Sequence, residues 1–368
     1  MKRIRIVAGA LLALLVTIIN SVNVYAEISR NPMRCCTVVM VGDDLIHSPL
    51  YKIAAQSDGS YDFSKQFDKI SEIKDADIAI INQETILVDD YSRVSSYPCF
   101  GTPCEIGDDI VNAGFDIVCH ATNHTYDKGY SGIESTLNYW RTNYPNIPVL
   151  GIHSDINEKD YYLYEYNDLT IGFVNYTYGL NGITRTKEYS VDLLSDNDIE
   201  STMLECCTGS DIQIAIIHVG DEYRYTPTEY QKEQVERFID MGADVVICAH
   251  PHVVEPYEYI TTANGNKGLI YYSLGNFISA QTKIDRCLGG MAKINISYDT
   301  DDNGNVTIAS VAEYNMVPLF THQQSGNYTT YKLQDYTDDL LQTHKLYGKT
   351  NGSSVGSIWK LWKSIIEK

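Results

Sequence analysis

The chain has 368 residues, of which 44% are hydrophobic and 21% are charged. This balance excludes a fibrous or mostly disordered protein, because such chains lack the apolar content that a core needs. The formal net charge is −20, and no basic stripe runs along the sequence. Nucleic acid is therefore not an expected partner, since phosphates are held by clusters of lysine and arginine. The length fits either two domains or one large α/β body.

The amino terminus carries the only local excess of basic residues. Three of them precede an apolar run over residues 6–19, and a small-residue stretch follows, as is typical of an export signal. An uncleaved membrane anchor is the alternative, although the run is shorter than the ~20 residues that span a bilayer. We predict an exported protein, extracellular or at the cell surface, with a signal peptide or anchor at 1–26 and a linker at 27–35.

Nine cysteines in an exported protein would normally indicate disulfides, but an odd number leaves at least one thiol over. No C-x-x-C pair is present, which excludes a zinc ribbon. The favoured bond joins Cys99 to Cys104 in a loop rich in Pro and Gly. Cys119 and Cys248 lie in apolar runs and are expected to be buried thiols.

Apolar runs of strand length alternate with amphipathic helical stretches over residues 36–320, a pattern typical of parallel βαβ units. We predict one α/β domain there, because no repeat or linker divides it. In its clearest unit, a capping box from Thr226 to Glu229 begins a helix. Residues 321–368 differ in composition and end in a short amphipathic stretch. We predict a packing or surface appendage, with a helix that touches a membrane surface as the alternative.

Ligand-type side chains follow five of these apolar runs, where each predicted strand ends. In α/β sheets, ligand sites lie beyond the carboxyl ends of the strands, so these side chains can converge. Asp, Glu, Asn and His without Cys suit zinc, manganese or iron(II), and two ions could share a carboxylate. In chain order the residues are Asp43, Asp44 and His47; Asn82 and Glu84; His120, Asn123 and His124; His218; and His250 and His252.

Each of these residues alone has an ordinary structural interpretation. A strand-terminal Asp is often a cap, and a single His is often a satisfied loop residue. His120 and His153 are assigned to that structural class. The specific signal is that these residues occur together, because random placement would not put ligand-type residues after five successive apolar runs.

Six stretches carry a resemblance to a known family: VGDDLIH (41–47), ADIAIINQET (76–85), GFDIVCHATNHTYDKG (114–129), IIHVGDEY (216–223), ICAHPHVVEPYEYI (247–260) and YYSLGNFISAQ (271–281). Their order and spacing resemble the CapA, or poly-γ-glutamate capsule synthesis, proteins of the calcineurin-like metallophosphoesterase superfamily. The resemblance implies a metallophosphoesterase-like α/β sandwich with its site at the C-terminal ends of the strands.

The resemblance also implies the roles of individual residues. His47 and Asn82 are additional candidate ligands. Ala249 stands where the family commonly has a further His, which leaves the number of metal ions, one or two, open. The implied metal ligands are Asp43, Glu84 (in the bridging place), Asn123, His218, His250 and His252.

His124 is the candidate acid that protonates a leaving group, with Asp127 orienting its ring. A turn-forming role is the alternative for Asp127. The residues expected to line the rim are Glu222, Tyr223, Tyr272 and Asn276.

The family name implies a capsule or cell-envelope polymer as partner, whereas the fold implies phosphoester hydrolysis. The resulting hypothesis is an exported hydrolase that uses Mn, Zn or Fe and works beside other membrane proteins of capsule synthesis. Poly-γ-glutamate is a polyanion, which an acidic chain repels except where metal ions reverse the local field. The alternative is a non-catalytic export or assembly factor that binds the polymer.

Overall fold

The computed structural model describes residues 33–367. Two β-sheets lie face to face, and helices pack on their outer faces. Within the described part of the chain, no helix has both the length and the apolar character needed to cross a bilayer. The predicted export signal at 1–26 lies outside the described residues, as does most of the predicted linker at 27–35.

The first sheet has eight strands. They are β1 (Arg34–Asp44), β2 (Ile78–Gln83), β5 (Ile117–Cys119), β6 (Val149–Leu150), β13 (Asn276–Ile278), β14 (Leu288–Thr300), β15 (Val306–Gln324) and β16 (Asn327–Lys332). The order across the sheet is β16, β15, β14, β1, β2, β5, β6, and β13 pairs with β1. The strands β1, β2, β5 and β6 run parallel, so their carboxyl ends lie at one edge.

The second sheet has six strands, in the order β11, β12, β10, β9, β8, β7. They are β7 (Tyr162–Tyr166), β8 (Leu169–Thr177), β9 (Ile212–His218), β10 (Val245–Ala249), β11 (Tyr257–Thr261) and β12 (Lys267–Tyr271). Its four inner strands are parallel. A small separate pair consists of β3 (Leu87–Val88) and β4 (Thr102–Pro103).

The helices connect these strands and cover the sheets. They are α1 (Ser48–Ala54), α2 (Glu72–Asp75), α3 (Ile106–Ala113), α4 (Tyr130–Asn143), α5 (Ile199–Gly209), α6 (Glu229–Asp240), α7 (Asp338–Thr343) and α8 (Val355–Ile366). The helix predicted from Thr226 begins two residues later. Thr228 is its N-cap and forms a capping box with Gln231, because the same Thr-x-x-Glu/Gln spacing recurs there.

Alternation along the strands divides the apolar side chains between two sheet faces. Val38 and Met40 of β1 point into the core between the sheets, where Ile214 of β9 also lies. Val39 and Val41 point the other way, into the cluster beneath the outer helices. Burial on both faces explains why these central strands are apolar throughout.

Residues 288–332 depart from the predicted parallel βαβ pattern. The strands β14, β15 and β16 form a long antiparallel meander. In the second half of β14, buried side chains alternate with partly exposed ones, as is typical of an antiparallel strand with one solvated face. Residue 320, the predicted domain end, lies inside β15. In the segment that follows, Leu341, Ile358 and Trp362 are buried in the core between the sheets.

The predicted bond between Cys99 and Cys104 is not formed. Cys99 is exposed in its loop, whereas the side chain of Cys104 is buried in the cluster beneath the helices of the first sheet. Cys119 and Cys248 are buried thiols, as predicted. The core is large enough to hold the fold together without this bond.

Candidate metal centre

The candidate centre lies where the carboxyl ends of parallel strands from both sheets meet. In the first sheet, Asp43 of β1 stands opposite Asn82 of β2. In the second sheet, His218 is the last residue of β9. Gly42 lets β1 approach the neighbouring loop, because a Cβ atom there would lie 1.9 Å from the carbonyl oxygen of Gly275. The glycine therefore allows the aspartate beside it to reach the junction of the sheets.

Asp43, Glu84 and His252 form the middle of this centre. Each offers one ligand atom, and these atoms lie within 4.8 Å of one another. The distance from Asp43 Oδ2 to His252 Nδ1 is 3.1 Å, and that from Glu84 Oε1 to His252 Nε2 is 3.8 Å. All three side chains are buried, so water screens their charges only weakly. Residues from three distant parts of the chain thus form a candidate divalent-metal site.

The remaining predicted ligands surround this group. His218 Nε2 lies 2.8 Å from Asn123 Oδ1 and 3.8 Å from Glu84 Oε1. The ring centroids of His218 and His250 are 4.9 Å apart. The backbone N–H of His250 donates to Asp43 Oδ2 at 3.3 Å. The structure therefore brings all six predicted ligands together.

The two additional candidates differ in their contacts. Asn82 Nδ2 donates to Asp43 Oδ1 at 2.8 Å and lies 3.4 Å from His218 Nδ1. His47 Nδ1 lies 3.1 Å from the carbonyl oxygen of Leu45, so this nitrogen contacts the loop to which His47 itself belongs. Asn82 therefore belongs to the centre, whereas His47 lies beside it.

Burial and neighbouring charges shift the pKa values of these groups in opposite directions. Burial raises the pKa of Glu84 well above its usual range. Burial and the neighbouring His250 lower the pKa of His218 well below its usual value. Burial alone would lower the pKa of His252, but the carboxylates of Glu84 and Asp43 outweigh it and raise that pKa to about 9. The site thus concentrates negative charge that the protein offsets only in part.

Several buried ligand atoms have no hydrogen-bond partner among the described residues. They are both carboxylate oxygens of Glu84, Oδ1 of Asn82 and Nδ1 of His250. Buried polar atoms are normally paired, and an unpaired buried carboxylate is costly. A divalent cation would satisfy these atoms and offset the charge. Because the donors are carboxylate, amide and imidazole groups, the residues fit a borderline divalent ion.

The backbone is strained where it presents two of the imidazoles. His250 has φ 103 and His252 has φ 59, on either side of Pro251. Residues other than glycine rarely adopt positive φ, and such strain concentrates at functional sites. Here the strained segment presents the imidazole of His252 and the backbone N–H of His250 to the same oxygen of Asp43.

His124 and Asp127 form a pair at the side of the centre. His124 Nδ1 lies 2.7 Å from Asp127 Oδ2, and the same oxygen accepts a hydrogen bond from the backbone N–H of Phe100 at 2.7 Å. The Phe100 ring stands edge-on to the His124 ring at 4.7 Å. These contacts fix the ring orientation and favour the tautomer with its proton on Nδ1. Asp127 therefore has the geometry predicted for an orienting carboxylate.

Of the four residues predicted to line the rim, two are exposed and two are buried. Glu222 and Tyr223 are exposed, and the ring of Tyr223 lies 6.0 Å from that of His252. Asn276 is buried, and its Oδ1 lies 3.0 Å from His252 Nδ1, so it contacts a ligand rather than the rim. The prediction for Tyr272 is wrong, because this side chain faces the outer helices and packs in their hydrophobic cluster.

Two residues near the site were not predicted. Asn123 Nδ2 donates to Asn181 Oδ1 at 3.1 Å, and Asn181 Nδ2 lies 3.5 Å from His124 Nδ1. The ring of Tyr178 lies 4.8 Å from that of His250. The Asn-Gly pair at 181–182 is a turn signal, but no local pattern shows that this turn contacts the ligands.

The structure shows the consequence of having Ala249 where the family commonly has a histidine. The alanine is buried in β10 and opposes His218, so this position contributes a methyl group and no ligand atom. Thr122 Oγ1 donates to the carbonyl oxygen of Glu84 at 2.8 Å. This contact links the loop after β5 to the backbone of the candidate bridging carboxylate.

A buried carboxylate behind the loop 220–224 predicts a pH-dependent stability. Glu255 is fully buried, and its Oε2 accepts a hydrogen bond from Gln231 Nε2 at 2.7 Å. Burial raises its pKa from 4.5 to about 8. The folded protein thus holds this proton more tightly than the unfolded chain, so the free energy of unfolding falls as pH rises from about 4.5 to 8.

The Glu255→Gln variant should remove this dependence, because the amide stays neutral. At pH 9 we expect it to be more stable than the native chain by roughly 2 to 4 kcal/mol, and at pH 4.5 nearly equal. Urea unfolding across that pH range measures the difference. The exposed Glu233→Gln, on the helix that carries Gln231, is the control. Parallel pH profiles for the native chain and Glu255→Gln would contradict the prediction.

The two-sheet fold and the buried carboxylate and imidazole groups define an α/β protein with a candidate divalent-metal centre at its strand ends. The profile of the family described as bacterial capsule synthesis protein PGA_cap matches residues 37–281. The chain therefore belongs to this family, which confirms the resemblance of its motifs to the capsule synthesis proteins.

Individual relatives agree with the family assignment. The PGA biosynthesis protein CapA of Bacillus subtilis (strain 168) is 31% identical over 172 residues, covering 45% of this chain and 43% of that protein. The capsule biosynthesis protein CapA of Bacillus anthracis is 23% identical over 367 residues, covering 95% of this chain and 81% of that protein. The first match thus spans less than half of its relative's length.

Solved structures were also compared. A phosphatase from Mycoplasma pneumoniae aligns with a TM-score of 0.47 and 12% identity, covering 78% of this chain and 94% of that chain. A candidate 5′-nucleotidase from Staphylococcus aureus, in complex with alpha-ketoglutarate, aligns with a TM-score of 0.44 and 15% identity, covering 77% and 54%.

Proposed function

We propose that this chain is a metal-dependent hydrolase of the phosphoesterase type that acts in the biosynthesis of capsule or cell-envelope polymer. The observation that carries the proposal is the carboxylate of Glu84. It is buried, its oxygens have no hydrogen-bond partner among the described residues, and it lies 3.8 Å from the imidazoles of both His218 and His252. A structural carboxylate would normally be paired.

The position of Glu84 beside two imidazoles supports its proposed bridging role. Glu84 Oε1 lies 3.8 Å from His252, which contacts Asp43, and 3.8 Å from His218, which contacts Asn123. We propose that these residues would hold manganese, zinc or iron(II), as one ion or as two that share Glu84. When bound there, a divalent ion supplies Lewis-acid polarisation and a nucleophile at neutral pH.

The chain's own residues then account for orientation and proton transfer. With its proton on Nδ1 held by Asp127, His124 keeps Nε2 for exchange with a substrate oxygen. Asn181 contacts both Asn123 and His124, so it couples the position of a ligand to that of the proposed acid. The exposed Glu222 and Tyr223 stand at the entrance, where a polymer chain would pass.

The family assignment and the sequence of the amino terminus support a proposed partner and location. We propose that the chain is exported and works at the cell surface, on or beside a capsule polymer such as poly-γ-glutamate and with other membrane proteins of capsule synthesis. The names of the two Bacillus relatives, which refer to PGA biosynthesis and capsule biosynthesis, support this proposal. Bound cations would reverse the repulsion between an acidic chain and a polyanion.

Removal of metal tests the proposal. We expect the purified chain to hydrolyse a chromogenic phosphodiester in the presence of Mn²⁺, Zn²⁺ or Fe²⁺, and to lose at least about 100-fold of that rate after chelation. Return of the metal should restore the rate. Poly-γ-glutamate is assayed in parallel for cleavage and for binding. Polymer binding without any turnover, unchanged by chelation, would contradict the hydrolase and support the non-catalytic assembly factor.

A further inference from the structure

A second group of ligand-type side chains lies beside the loop that follows β6. His153, Asp160 and Asp192 each offer one ligand atom, and these atoms lie within 4.8 Å of one another. His153 Nε2 lies 2.8 Å from Asp192 Oδ1 and 3.5 Å from Asp160 Oδ1. Atoms bound to one zinc ion, at ~2.0 to 2.2 Å from it, are separated by similar distances. The group shares no residue with the candidate metal centre.

The negative charge of this group is only partly offset. Over residues 33–367, neither Asp160 nor Asp192 has a lysine or arginine nitrogen within 4.0 Å. Arg141, the closest basic side chain to Glu158, is paired with that glutamate at 2.8 Å. His153 is thus the single basic partner of two carboxylates in the described chain, and Asp192 is buried. Burial of such an excess is unfavourable without a cation.

One buried oxygen atom of this group has no partner among the described residues. It is Oδ2 of Asp192, whose side chain is only 4% exposed. The Asp192 carboxylate already faces His153 through Oδ1, so its second oxygen belongs to the same cluster. Unpaired buried oxygens beside a ligand group are the expected signature of a bound cation.

The location of this group gives a bound ion a route from solvent and a structural role between two segments. A cavity of about 230 Å³ is lined in part by His153, Glu158 and Asp160. The segment that holds Asp192 pairs with the loop of His153 through the bridge between Ile152 and Val191. The turn with Asn181 precedes Asp192 in the same connection, and Asn181 contacts both Asn123 and His124.

We propose that His153, Asp160 and Asp192 bind a separate, structural divalent cation that ties the loop after β6 to the segment 178–194. One imidazole with carboxylate oxygens suits Zn²⁺ or Mn²⁺. The cation holds the Asn181 turn against the candidate metal centre from behind. This inference goes beyond the proposed function, and it stands if that function fails.

The test uses the full chain in an Asp43→Asn/His252→Gln background, in which the candidate metal centre is disabled. Zn²⁺ binding is measured by calorimetry and by elemental analysis after dialysis. We expect one Zn²⁺ to bind in this background, and Asp160→Asn to weaken that binding by at least about 100-fold. Asp160 accepts no hydrogen bond and its side chain is 27% exposed, so this variant should fold. Asp155→Asn, an exposed position on the same loop, is the matched control.

Thermal unfolding supplies a second measurement that does not depend on activity. Zn²⁺ should raise the unfolding midpoint of the background chain and of Asp155→Asn, but not that of Asp160→Asn. The unfolding midpoint of His153→Gln should likewise not rise when Zn²⁺ is added. No Zn²⁺ bound in the background chain, or equal binding in Asp160→Asn, would overturn the proposal and leave an ion pair of His153 with its carboxylates.

Discussion

The Asp43→Asn variant should bind divalent metal at least about 100-fold more weakly than the native chain and lose metal-dependent turnover with it. The carboxylate of Asp43 accepts a hydrogen bond from Asn82 and lies 3.1 Å from His252. Asparagine preserves the size of the side chain but removes the charge that a cation needs. The loss should therefore come from ligand chemistry rather than from packing.

Metal content by elemental analysis and turnover of a phosphodiester measure this effect together. Asp116→Asn is the control, since Asp116 is a partly buried aspartate outside the ligand group. Its Oδ2 accepts a hydrogen bond from the backbone N–H of Ala79 at 2.8 Å, and the amide oxygen of asparagine can accept the same bond. Unchanged metal content in Asp43→Asn would remove the basis of the proposed function.

The His124→Gln variant should lower kcat by roughly 10²- to 10⁴-fold while its metal content stays that of the native chain. Glutamine removes the ring nitrogen Nε2, which the pairing of Nδ1 with Asp127 leaves for proton transfer. The loss should depend on the leaving group, because a weakly basic phenolate departs without protonation and a basic alkoxide does not. We expect a much smaller loss with a 4-nitrophenyl ester than with an alkyl ester.

Kinetics with paired aryl and alkyl phosphodiesters measure this dependence. Asp127→Asn should show the same preference with a smaller loss, since the ring remains but its orientation weakens. An equal loss with both esters would indicate that His124 holds the substrate rather than transferring a proton. That outcome would contradict the assigned role while leaving the metal centre intact.

The ligand residues could be predicted because their signal is local. An apolar run followed at once by Asp, Glu, Asn or His marks the end of a buried strand, and parallel strands bring such ends to one edge. Asp43, Asn82 and His218 all lie at the ends of strands in this way. This local signal does not show which residues of one sheet lie beside which residues of the other.

The errors arose where the outcome depended on which face or loop a residue meets. Tyr271 and Tyr272 are adjacent, yet one lies in the core between the sheets and the other beneath the outer helices. The sequence pattern does not distinguish two consecutive tyrosines, because both are apolar enough for either face. The sequence also does not show that Asp192, which is 39 residues away along the chain, lies beside His153.

The sequence by itself determined the family, the α/β class and the six ligand-type residues at the strand ends. These depend on short motifs and on apolar periodicity, which are properties of neighbouring residues. Only the tertiary structure decided that Asn181 meets Asn123 and His124, that β15 crosses residue 320, and that Oδ2 of Asp192, beside His153, is buried without a partner among the described residues. Those facts depend on how the two sheets and their loops pack together, and local chemistry does not specify such contacts.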